Sequence, residues 1–552
     1  MLHLLMLVIL RVAASEDEGL LVSTRNGDIQ GKMMEIKSGN EIRAFLGIRY
    51  AKPPIENLRF MPPQPLEKLQ GVQMATTIHA SCPQVITYIP GSQFEGEEDC
   101  LYLNVYAPKV SNKLLPVMVY IHGGGFLFGG GNTLTHGPDK LLDEEIVLVV
   151  INYRLGPLGF LSTADEVVPG NNGLKDQTMS LRWVQEHIQY FGGDPTQVTI
   201  FGESAGGAST HFHVISSLSK GLFQTSISQS GSAFCPWALS SPREAYDLGR
   251  KIAKLLECPT ESSEEMVKCL KTIDVKRFFQ VQAQFLHWDV DPLTIFVPVI
   301  EIDHDGAFIS KHPENIIKSG EVNRVTWITG LTKDEGAIRC CGIVGRGRFD
   351  EFKRDFDKIT PASLFYKGRV SSEKTYTKKI RDFYFKKEFS VQQTTHMYTD
   401  GLILMSLQKA LNLHRKYSKI PLYFYLFNYS GSMTFTEIFG DKDNDYGVCH
   451  ADELIYLFPY EDVFFGGRKP SENDVLMTKT LTKLWTNFAK YKQPTVSDSN
   501  WSHAQWEPVQ TDSNEYFYIG GPDEFKMDAN MFPERVQFWN ELQASSEYKD
   551  EL

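Results

Sequence analysis

Several short runs of β-branched and aromatic residues recur along the chain without alternation between apolar and polar positions. In chain order they are PVMVYIH from Pro116, IVLVVINYR from Ile146, VTIFG from Val198, RVTWITG from Arg324 and LYFYLF from Leu422. A strand with one solvated face alternates apolar and polar residues, whereas a strand covered on both faces does not. The runs therefore predict strands that are buried on both sides.

The segments between these runs have the length and spacing of helices. In LKDQTMSLRWVQEHIQYF, for example, Leu181, Val184 and Ile188 recur at helical spacing. Strands that alternate with helices predict the α/β class, with a central, mostly parallel mixed sheet that helices cover on both faces. We find no internal repeat and no long Pro- or Gly-rich linker, so residues 16–544 are expected to form a single domain.

Composition and charge narrow the possible functions. The chain has 552 residues, of which 42% are hydrophobic and 22% charged, as in ordinary globular proteins. Its net charge of -12 and the lack of a basic run oppose binding to nucleic acid or to anionic membrane surfaces, which attract clustered Lys and Arg. No segment beyond the first residues is apolar enough to anchor the protein in a membrane.

The two ends of the chain carry targeting patterns. Residues 4–10 are apolar and are followed by the small residues Ala13, Ala14 and Ser15. This stretch is too short to span a bilayer and predicts a signal peptide over residues 1–15. Residues 545–552 form a tail that ends in Lys-Asp-Glu-Leu, the address read by the retention receptor of the endoplasmic reticulum. Together the two patterns predict a protein of the endoplasmic reticulum lumen.

Cysteines and glycosylation patterns agree with that compartment. Among the eight cysteines, Cys82 with Cys100 and Cys258 with Cys269 are close enough in sequence to close short loops. The other four are interpreted as buried small apolar residues: Cys235, Cys340, Cys341 and Cys449. Asn428 and Asn500 each begin an Asn-X-Ser acceptor pattern and are predicted glycosylation sites.

The first candidate for chemistry is the pentapeptide Gly-Glu-Ser-Ala-Gly at residues 202–206, which directly follows the predicted strand VTIFG. Glycines on both sides of the serine allow a sharp turn that leaves Ser204 Oγ exposed beyond the strand. Small residues after the turn begin a probable helix, whose N-terminus favours developing negative charge. Ser204 is therefore a candidate nucleophile.

A second glycine-rich segment is suited to stabilising an oxyanion. HGGGF, residues 122–126, follows the predicted strand PVMVYI. Consecutive glycines can direct backbone N–H groups into a site, and this pattern upstream of the serine is that of esterase oxyanion loops. The predicted donors are the N–H groups of Gly124, Gly125 and Ala205.

The candidate base and acid come from the second half of the chain. His450 lies in a small-residue loop before an apolar segment, GVCHADELIYLF, and is the predicted general base. An alternative metal site made of His450, Asp452 and Glu453 has poor ligand spacing. Asp334 and Glu335 follow the strand RVTWITG, and spacing alone leaves both open as the acid. The order serine, acid, histidine is that of α/β-hydrolases.

Further stretches carry a resemblance over almost the whole chain. These include FLGIRYAKPP, EDCLYLNVYAP, INYRLGPLGFL, GNNGLKDQ, FGGDP, QSGSAF, KDEG and GVCHADE. With them the sequence resembles the type-B carboxylesterase and cholinesterase-like family, and most of all its insect carboxylesterases. The resemblance implies an α/β-hydrolase fold with long insertions that form a gorge, and the disulfides Cys82–Cys100 and Cys258–Cys269. It also implies a triad of Ser204, His450 and Glu335 rather than Asp334, with Gly124, Gly125 and Ala205 as the oxyanion hole.

The resemblance also bears on the substrate. Positions like those of the acyl pocket fall near Pro292 and Thr294, whose small size predicts a roomy acyl site. Trp237 and Phe296 are expected to bind substrate, although a core position is the alternative for Trp237. The expected reaction is hydrolysis of carboxylic esters to an acid and an alcohol through an acyl-enzyme. It needs no metal or other cofactor, and activity should rise between about pH 6 and 7 as the histidine loses its proton.

Two other functions remain open at this point. One is a sequestering esterase that is acylated quickly and deacylated slowly. The other is a binding or adhesion protein that keeps the fold without a working triad. Apart from a small ester substrate, the only partner that the sequence predicts is the retention receptor.

Overall fold

A computed structural model describes residues 19–68, 70–89, 91–109, 111–496 and 504–545. The predicted signal peptide, the acceptor Asn500 and the Lys-Asp-Glu-Leu tail lie outside the described residues.

The strands of the described residues are β1 (Leu21–Thr24), β2 (Gly27–Gln30), β3 (Lys32–Glu35), β4 (Glu41–Arg49), β5 (Val72–Met74), β6 (Tyr102–Pro108), β7 (Leu115–Ile121), β8 (Val147–Ile151), β9 (Gly193–Glu203), β10 (Thr225–Gln229), β11 (Thr326–Thr332), β12 (Leu422–Phe427), β13 (Tyr516–Gly521) and β14 (Glu524–Asp528).

The helices of the described residues are α1 (Thr133–His136), α2 (Gly156–Phe160), α3 (Asn172–His187), α4 (Ala205–Ile215), α5 (Pro242–Leu255), α6 (Ser263–Leu270), α7 (Val275–Gln280), α8 (Pro313–Ser319), α9 (Ala337–Gly345), α10 (Phe349–Arg354), α11 (Phe356–Ser363), α12 (Glu373–Tyr384), α13 (Val391–Thr399), α14 (Met405–Leu413), α15 (Thr436–Phe439), α16 (Glu461–Phe464), α17 (Glu472–Tyr491) and α18 (Pro533–Ala544). Within this part of the chain, no helix combines the length and the apolar character that crossing a membrane requires.

A central sheet of eleven strands organises the molecule, in the order β14-β13-β12-β11-β10-β9-β7-β8-β6-β4-β3. Neighbours from β8 through β13 run parallel, and the pairs at the two edges run antiparallel. The five hydrophobic runs of the sequence all fall in the parallel part, as β7, β8, β9, β11 and β12. A smaller sheet joins β1, β2 and β5.

Burial explains why those strands lack alternation. Every residue of β8 is buried, so both faces of the sheet are covered there. Strand β10 is equally buried, although its sequence TSISQ is small and polar. Two of its three hydroxyl groups find partners inside the protein: Thr225 bonds to Thr199 at 2.6 Å, and Trp327 Nε1 donates to Ser228 Oγ at 2.9 Å. Hydrophobic patterning could not identify this strand.

Two disulfides close loops of the chain. Cys82 is joined to Cys100, and Cys258 to Cys269, the pairings that the resemblance implied. The remaining cysteines are free and buried, as expected of small apolar residues. Disulfides of this kind are typical of proteins that fold in the secretory pathway.

The sheet brings distant parts of the chain to one edge. The carboxyl ends of parallel strands meet at the same edge, which is where ligand sites form in open α/β sheets. Strand β7 ends just before the HGGGF segment, β9 just before Ser204, and β11 three residues before Glu335.

Candidate active site

Ser204 sits in a turn, residues 202–206, that joins β9 to α4; we call it the serine turn. Its backbone has φ 57° and ψ -119°, a conformation that is costly for a residue with a side chain. Close packing of the turn against β7 holds it there, since a Cβ at Gly202 or Gly206 would lie 2.4 or 2.0 Å from the carbonyl oxygen of Ile121. The Ser204 N–H also donates to the carbonyl of Gln229 at 2.8 Å.

His450 and Glu335 form a hydrogen-bonded pair. His450 Nδ1 donates to Glu335 Oε2 in a very short hydrogen bond. The other carboxylate oxygen, Oε1, accepts from Ser230 Oγ at 2.5 Å and from the N–H of Thr332 at 2.8 Å. The carboxylate is thus held at both oxygens, and the imidazole that it binds lines the same two cavities as Ser204. Between Asp334 and Glu335, it is Glu335 that meets the histidine.

Asp334 holds the loop that carries His450, residues 447–452, here called the histidine loop. Its carboxylate Oδ2 accepts from the N–H of Val448 at 3.1 Å, and its own N–H donates to the Val448 carbonyl at 3.0 Å. The contact is close, since a Cβ on Gly447 would lie 2.1 Å from Asp334 Oδ2. Asp334, the first acidic residue of the KDEG motif, is therefore a positioning residue, a role that sequence reasoning did not identify.

The two carboxylates after His450 also bind protein groups. Asp452 accepts from the N–H groups of Cys449 at 2.9 Å and Phe435 at 2.8 Å. Glu453 accepts from Tyr425 Oη at 3.1 Å and Gln229 Nε2 at 3.3 Å. Burial raises the pKa of Asp452 to about 7 and that of Glu453 to about 8. Asp452, the last residue of the histidine loop, thus braces the loop at Cys449 and ties it to the backbone at Phe435.

The predicted oxyanion donors lie beside Ser204. Gly124 and Gly125 have φ 94° and 62°, where residues with a Cβ are strained. Both line the larger cavity with Ser204, and Ala205 is the first residue of α4. In the described ranges of the chain, the N–H groups of Gly124, Gly125 and Ala205 make no hydrogen bond within the protein. All three are therefore available to an oxygen atom bound near Ser204.

Glu203 brings a second carboxylate to His450. Its Oε1 lies 2.9 Å from His450 Nε2, but off the direction of a hydrogen bond, and it has no hydrogen-bond partner among the described residues. Burial raises the pKa of Glu203. Burial alone would lower the pKa of His450, yet the charges of Glu203 and Glu335 outweigh it and raise that pKa well above 6.5. Activity that needs a neutral imidazole should therefore rise at higher pH than the expected 6 to 7.

Two cavities of unequal size meet at Ser204 and His450. The larger has a volume of about 360 Å³ and the smaller of about 40 Å³. Trp237, 6% exposed, lines the smaller one together with Thr294. The expectation of a roomy acyl site near Thr294 stays a prediction: the cavity that Thr294 shares with Ser204 is the smaller one, and Trp237 lines it too. Pro292 lines a different cavity, of about 350 Å³, which does not reach Ser204.

Phe296 does not take part in the cavities at Ser204. It is buried against Phe285, with 5.6 Å between the ring centroids, and is absent from the lining of both cavities. The sequence could place it near the site but could not give its direction, because neighbouring residues in an irregular loop face different ways.

Comparison with known proteins identifies the family of the chain. The model of the carboxylesterase family matches residues 18–539. Venom carboxylesterase-6 of Apis mellifera is 36% identical, over 94% of each chain. Juvenile hormone esterase of Tribolium castaneum is 34% identical, over 94% of this chain and 93% of its own.

A solved structure extends the likeness to three dimensions. The crystal structure of juvenile hormone esterase from Manduca sexta, with OTFP covalently attached, superposes with a TM-score of 0.84 at 28% identity. The match covers 95% of this chain and 99% of the other. The α/β-hydrolase fold predicted from the sequence is thus confirmed, and the chain belongs to the carboxylesterase family as a carboxylic ester hydrolase.

Proposed function

We propose that this ester hydrolase acts through Ser204 as nucleophile, His450 as general base and acid, and Glu335 as the carboxylate that orients the imidazole. The observation that carries the proposal is the Nδ1–Oε2 hydrogen bond between His450 and Glu335 beside a cavity that Ser204 also lines. A hydrogen bond on Nδ1 fixes the tautomer in which Nε2 is free to accept a proton.

The reaction then runs in two halves. Ser204 Oγ attacks the ester carbonyl while its proton passes to His450 Nε2, and the resulting oxyanion binds the N–H groups of Gly124, Gly125 and Ala205. The alcohol leaves with the proton from Nε2, so that an acyl group stays on Ser204. Water attacks the acyl-enzyme with His450 again as base, and the carboxylic acid is released.

Charges around the imidazole favour these reaction steps. The Glu335 carboxylate stabilises the imidazolium that forms in each half, and the N-terminus of α4 favours negative charge at Ser204. Because Glu203 and Glu335 raise the pKa of His450 well above 6.5, kcat/KM should increase with pH through a region above 6.5. A profile that is flat from pH 5 to 9 would contradict His450 as base.

A pre-steady-state time course with p-nitrophenyl acetate tests the proposal, with Ser204→Ala beside the unchanged protein. Loss of the triad serine lowers kcat by up to about 10⁶-fold in well-studied serine hydrolases. We expect a burst followed by steady turnover, absent from the variant. A fluorophosphonate should add its mass to the unchanged protein at Ser204 and not to the variant.

The same time course separates the other two functions. A stoichiometric burst that stalls would indicate a sequestering esterase whose deacylation is slow. Absence of both burst and turnover in the folded protein would indicate a binding protein and would refute the triad.

We also propose that the protein is retained in the endoplasmic reticulum through its Lys-Asp-Glu-Leu tail and glycosylated at Asn428 and Asn500. Asn428 is partly buried, and its amide donates one N–H to Tyr518 Oη at 2.6 Å, which leaves the second N–H for a glycan. Removal of residues 549–552 should release the protein into the medium, and Asn428→Gln and Asn500→Gln should each remove one glycosidase-sensitive mass. If the protein were still retained after removal of the tail, retention through the Lys-Asp-Glu-Leu receptor would be refuted.

A further inference from the structure

Two histidines meet in the core, away from the triad. His211 lies on α4, and His414 directly follows α14. Both residues are completely buried, with 2.9 Å between their Nε2 atoms. The imidazole of His211 also stacks on the indole of Trp327, with 4.7 Å between the ring centroids. At this distance one Nε2 atom must donate a proton and the other must accept it.

The outer contacts of the pair fix which ring donates. The N–H of Ala233 donates to His211 Nδ1 at 3.0 Å, so the proton of this neutral ring lies on Nε2. His211 Nε2 therefore donates to His414 Nε2, and His414 donates from Nδ1 to Ser418 Oγ at 2.9 Å. All four ring nitrogens take part in one chain of hydrogen bonds, which requires both histidines to be neutral.

This chain of hydrogen bonds begins in a segment that contacts two members of the triad. Residues 229–233, here called the bridging segment, end with the N–H that donates to the histidine pair. The carbonyl of Gln229 accepts from the N–H of Ser204 at 2.8 Å. Ser230 Oγ donates to Glu335 Oε1 at 2.5 Å. The histidine pair thus holds a segment that binds both the nucleophile and the acid.

Charged groups near the pair bind elsewhere. The titratable groups on the elements that pack on it are His213 of α4, His312, Glu314 and Lys318 at α8, Lys409 of α14, Arg415 and Lys416 after His414, and Cys235 beyond the bridging segment. Among the described residues none of them bonds to either ring, and Glu314 pairs with Lys318 at 2.6 Å and with Lys409 at 2.8 Å. Burial lowers the pKa of His414, and burial followed by the charge of His414 lowers the pKa of His211.

We propose that His211 and His414 are positioning residues that together form an acid-sensitive latch, in which a proton on either imidazole frees the bridging segment and lowers activity. The proposal rests on the triad proposed above, because the bridging segment acts through Ser204 and Glu335. A proton added to His414 Nε2 would face the N–H of His211, and one added to His211 Nδ1 would face the N–H of Ala233.

The direction of the pH effect follows from the unfolded state. A histidine in water takes up a proton below about pH 6.5, whereas the paired histidines stay neutral while the latch is closed. The latch is therefore stable above about pH 6.5 and opens below it. Each histidine raises the ratio of open to closed protein by up to about tenfold per pH unit.

Activity at pH 8.5 tests the positioning role. His211→Ala removes the acceptor of the Ala233 N–H, so kcat for p-nitrophenyl acetate should fall about tenfold with little change in KM. His211→Asn places an amide oxygen near the position of Nδ1 and should recover most of this loss. Equal kcat in folded His211→Ala and in the unchanged protein would overturn the positioning role.

Inactivation in acid tests the latch, and it needs only a mild variant. The protein is held at pH 5.5 or 7.5, and the remaining activity is always read at pH 8.5, so that the protonation of His450 is the same in every assay. Two neutral histidines should speed inactivation up to about a hundredfold at the lower pH. His414→Gln keeps an acceptor for His211 Nε2 but takes up no proton, so the ratio of the two rates should fall about tenfold.

His213→Gln is the matched control. His213 is also buried on α4, but it bonds to Gln177 at 2.9 Å and to Ser219 at 2.7 Å rather than to a histidine. It stays covered when the latch opens, so its loss should leave the ratio of rates unchanged. An unchanged ratio in His414→Gln, or an equal fall in His213→Gln, would show that acid acts on the whole fold and would overturn the latch.

Hydrogen exchange of a peptide that spans the bridging segment keeps this test independent of the triad. After correction for the intrinsic rate at each pH, its amides should lose protection between pH 7.5 and 5.5, and lose less in His414→Gln. If they do so while Ser204-dependent hydrolysis is absent, the triad alone is refuted. If hydrolysis is present and the two proteins lose protection equally, the latch alone is overturned.

Discussion

The serine turn and the histidine loop are held in opposite ways. The serine turn is a local structure: five consecutive residues between β9 and α4, kept in a strained conformation because two glycines contact the carbonyl of Ile121. The histidine loop has little regular structure of its own. Asp334 binds its Val448 N–H, its own Asp452 binds the N–H of Phe435, and Glu335 binds the imidazole itself.

The contrast shows which half of the site is sensitive to which kind of change. The serine turn requires glycine at positions 202 and 206, since a Cβ at either position would collide with the backbone carbonyl of Ile121. The histidine loop depends on the presence of acceptors, since each of its carboxylate partners satisfies an otherwise unpaired N–H group. Steric changes should therefore damage the first region, and the loss of hydrogen-bond acceptors the second.

Among changes to the groups that hold the two regions in place, the largest expected effect is on the histidine side. Glu335→Gln removes the charge that stabilises the imidazolium and presents an amide that favours the wrong tautomer, so kcat should fall about 10⁴-fold with little change in KM. Steady-state kinetics with p-nitrophenyl acetate measures this. Labelling with a fluorophosphonate should slow in parallel, and a loss under tenfold would mean that Glu335 does not orient His450.

On the serine side, Gly206→Ala is the sharpest steric change. The new Cβ would lie 2.0 Å from the carbonyl oxygen of Ile121, so the turn must shift and carry Ser204 with it. A displacement of about 1 Å costs about 10²-fold in rate, and the melting temperature should fall as well. Gly521→Ala is the control, because Gly521, like Gly206, has no positive φ and its added Cβ would approach no atom closer than 3.8 Å; its activity should not change.

A smaller effect is expected where an acceptor is lost from the histidine loop. Asp334→Ala leaves the N–H of Val448 unpaired, and we expect kcat to fall about tenfold, which corresponds to about 1.4 kcal/mol. Asp334→Asn keeps an acceptor at the same place and should retain most of the activity. Equal losses in the two variants would show that the charge of Asp334, rather than its hydrogen bond, is what matters.

The smallest expected effect joins the two regions, because Glu203 belongs to the serine turn and acts on the histidine. Glu203→Gln removes one of the charges that raise the pKa of His450. The rise of kcat/KM with pH should then move about one unit toward lower pH. Glu453→Gln is the control and should leave the rise in place, since Glu453 binds Tyr425 and Gln229 and the pKa of His450 is raised by Glu203 and Glu335 instead.

Sequence reasoning was most successful where consecutive residues all favour the same local structure. The five continuous apolar runs became parallel strands, and the serine turn, with its strand before and helix after, is visible in consecutive residues. Strand β10 escaped prediction because its interior position depends on hydroxyl groups that find partners on other strands. The roles of Asp334 and Glu203 were not predicted either. Each residue directly precedes a predicted site residue, and this adjacency was the one feature of the sequence that could have indicated a role.

The sequence by itself determined the family, the main strands and the candidates Ser204 and His450, because patterns of consecutive residues encode strands, turns and motif order; Glu335 rather than Asp334 came from the family resemblance. Only the tertiary structure decided how the substrate space is divided. Residues 292 and 294 are two apart in sequence, yet Thr294 lines a cavity of about 40 Å³ with Ser204 and with Trp237 from a distant segment, whereas Pro292 lines only a different one. Cavity volume depends on side chains that meet across the fold, and no local pattern records which of them do.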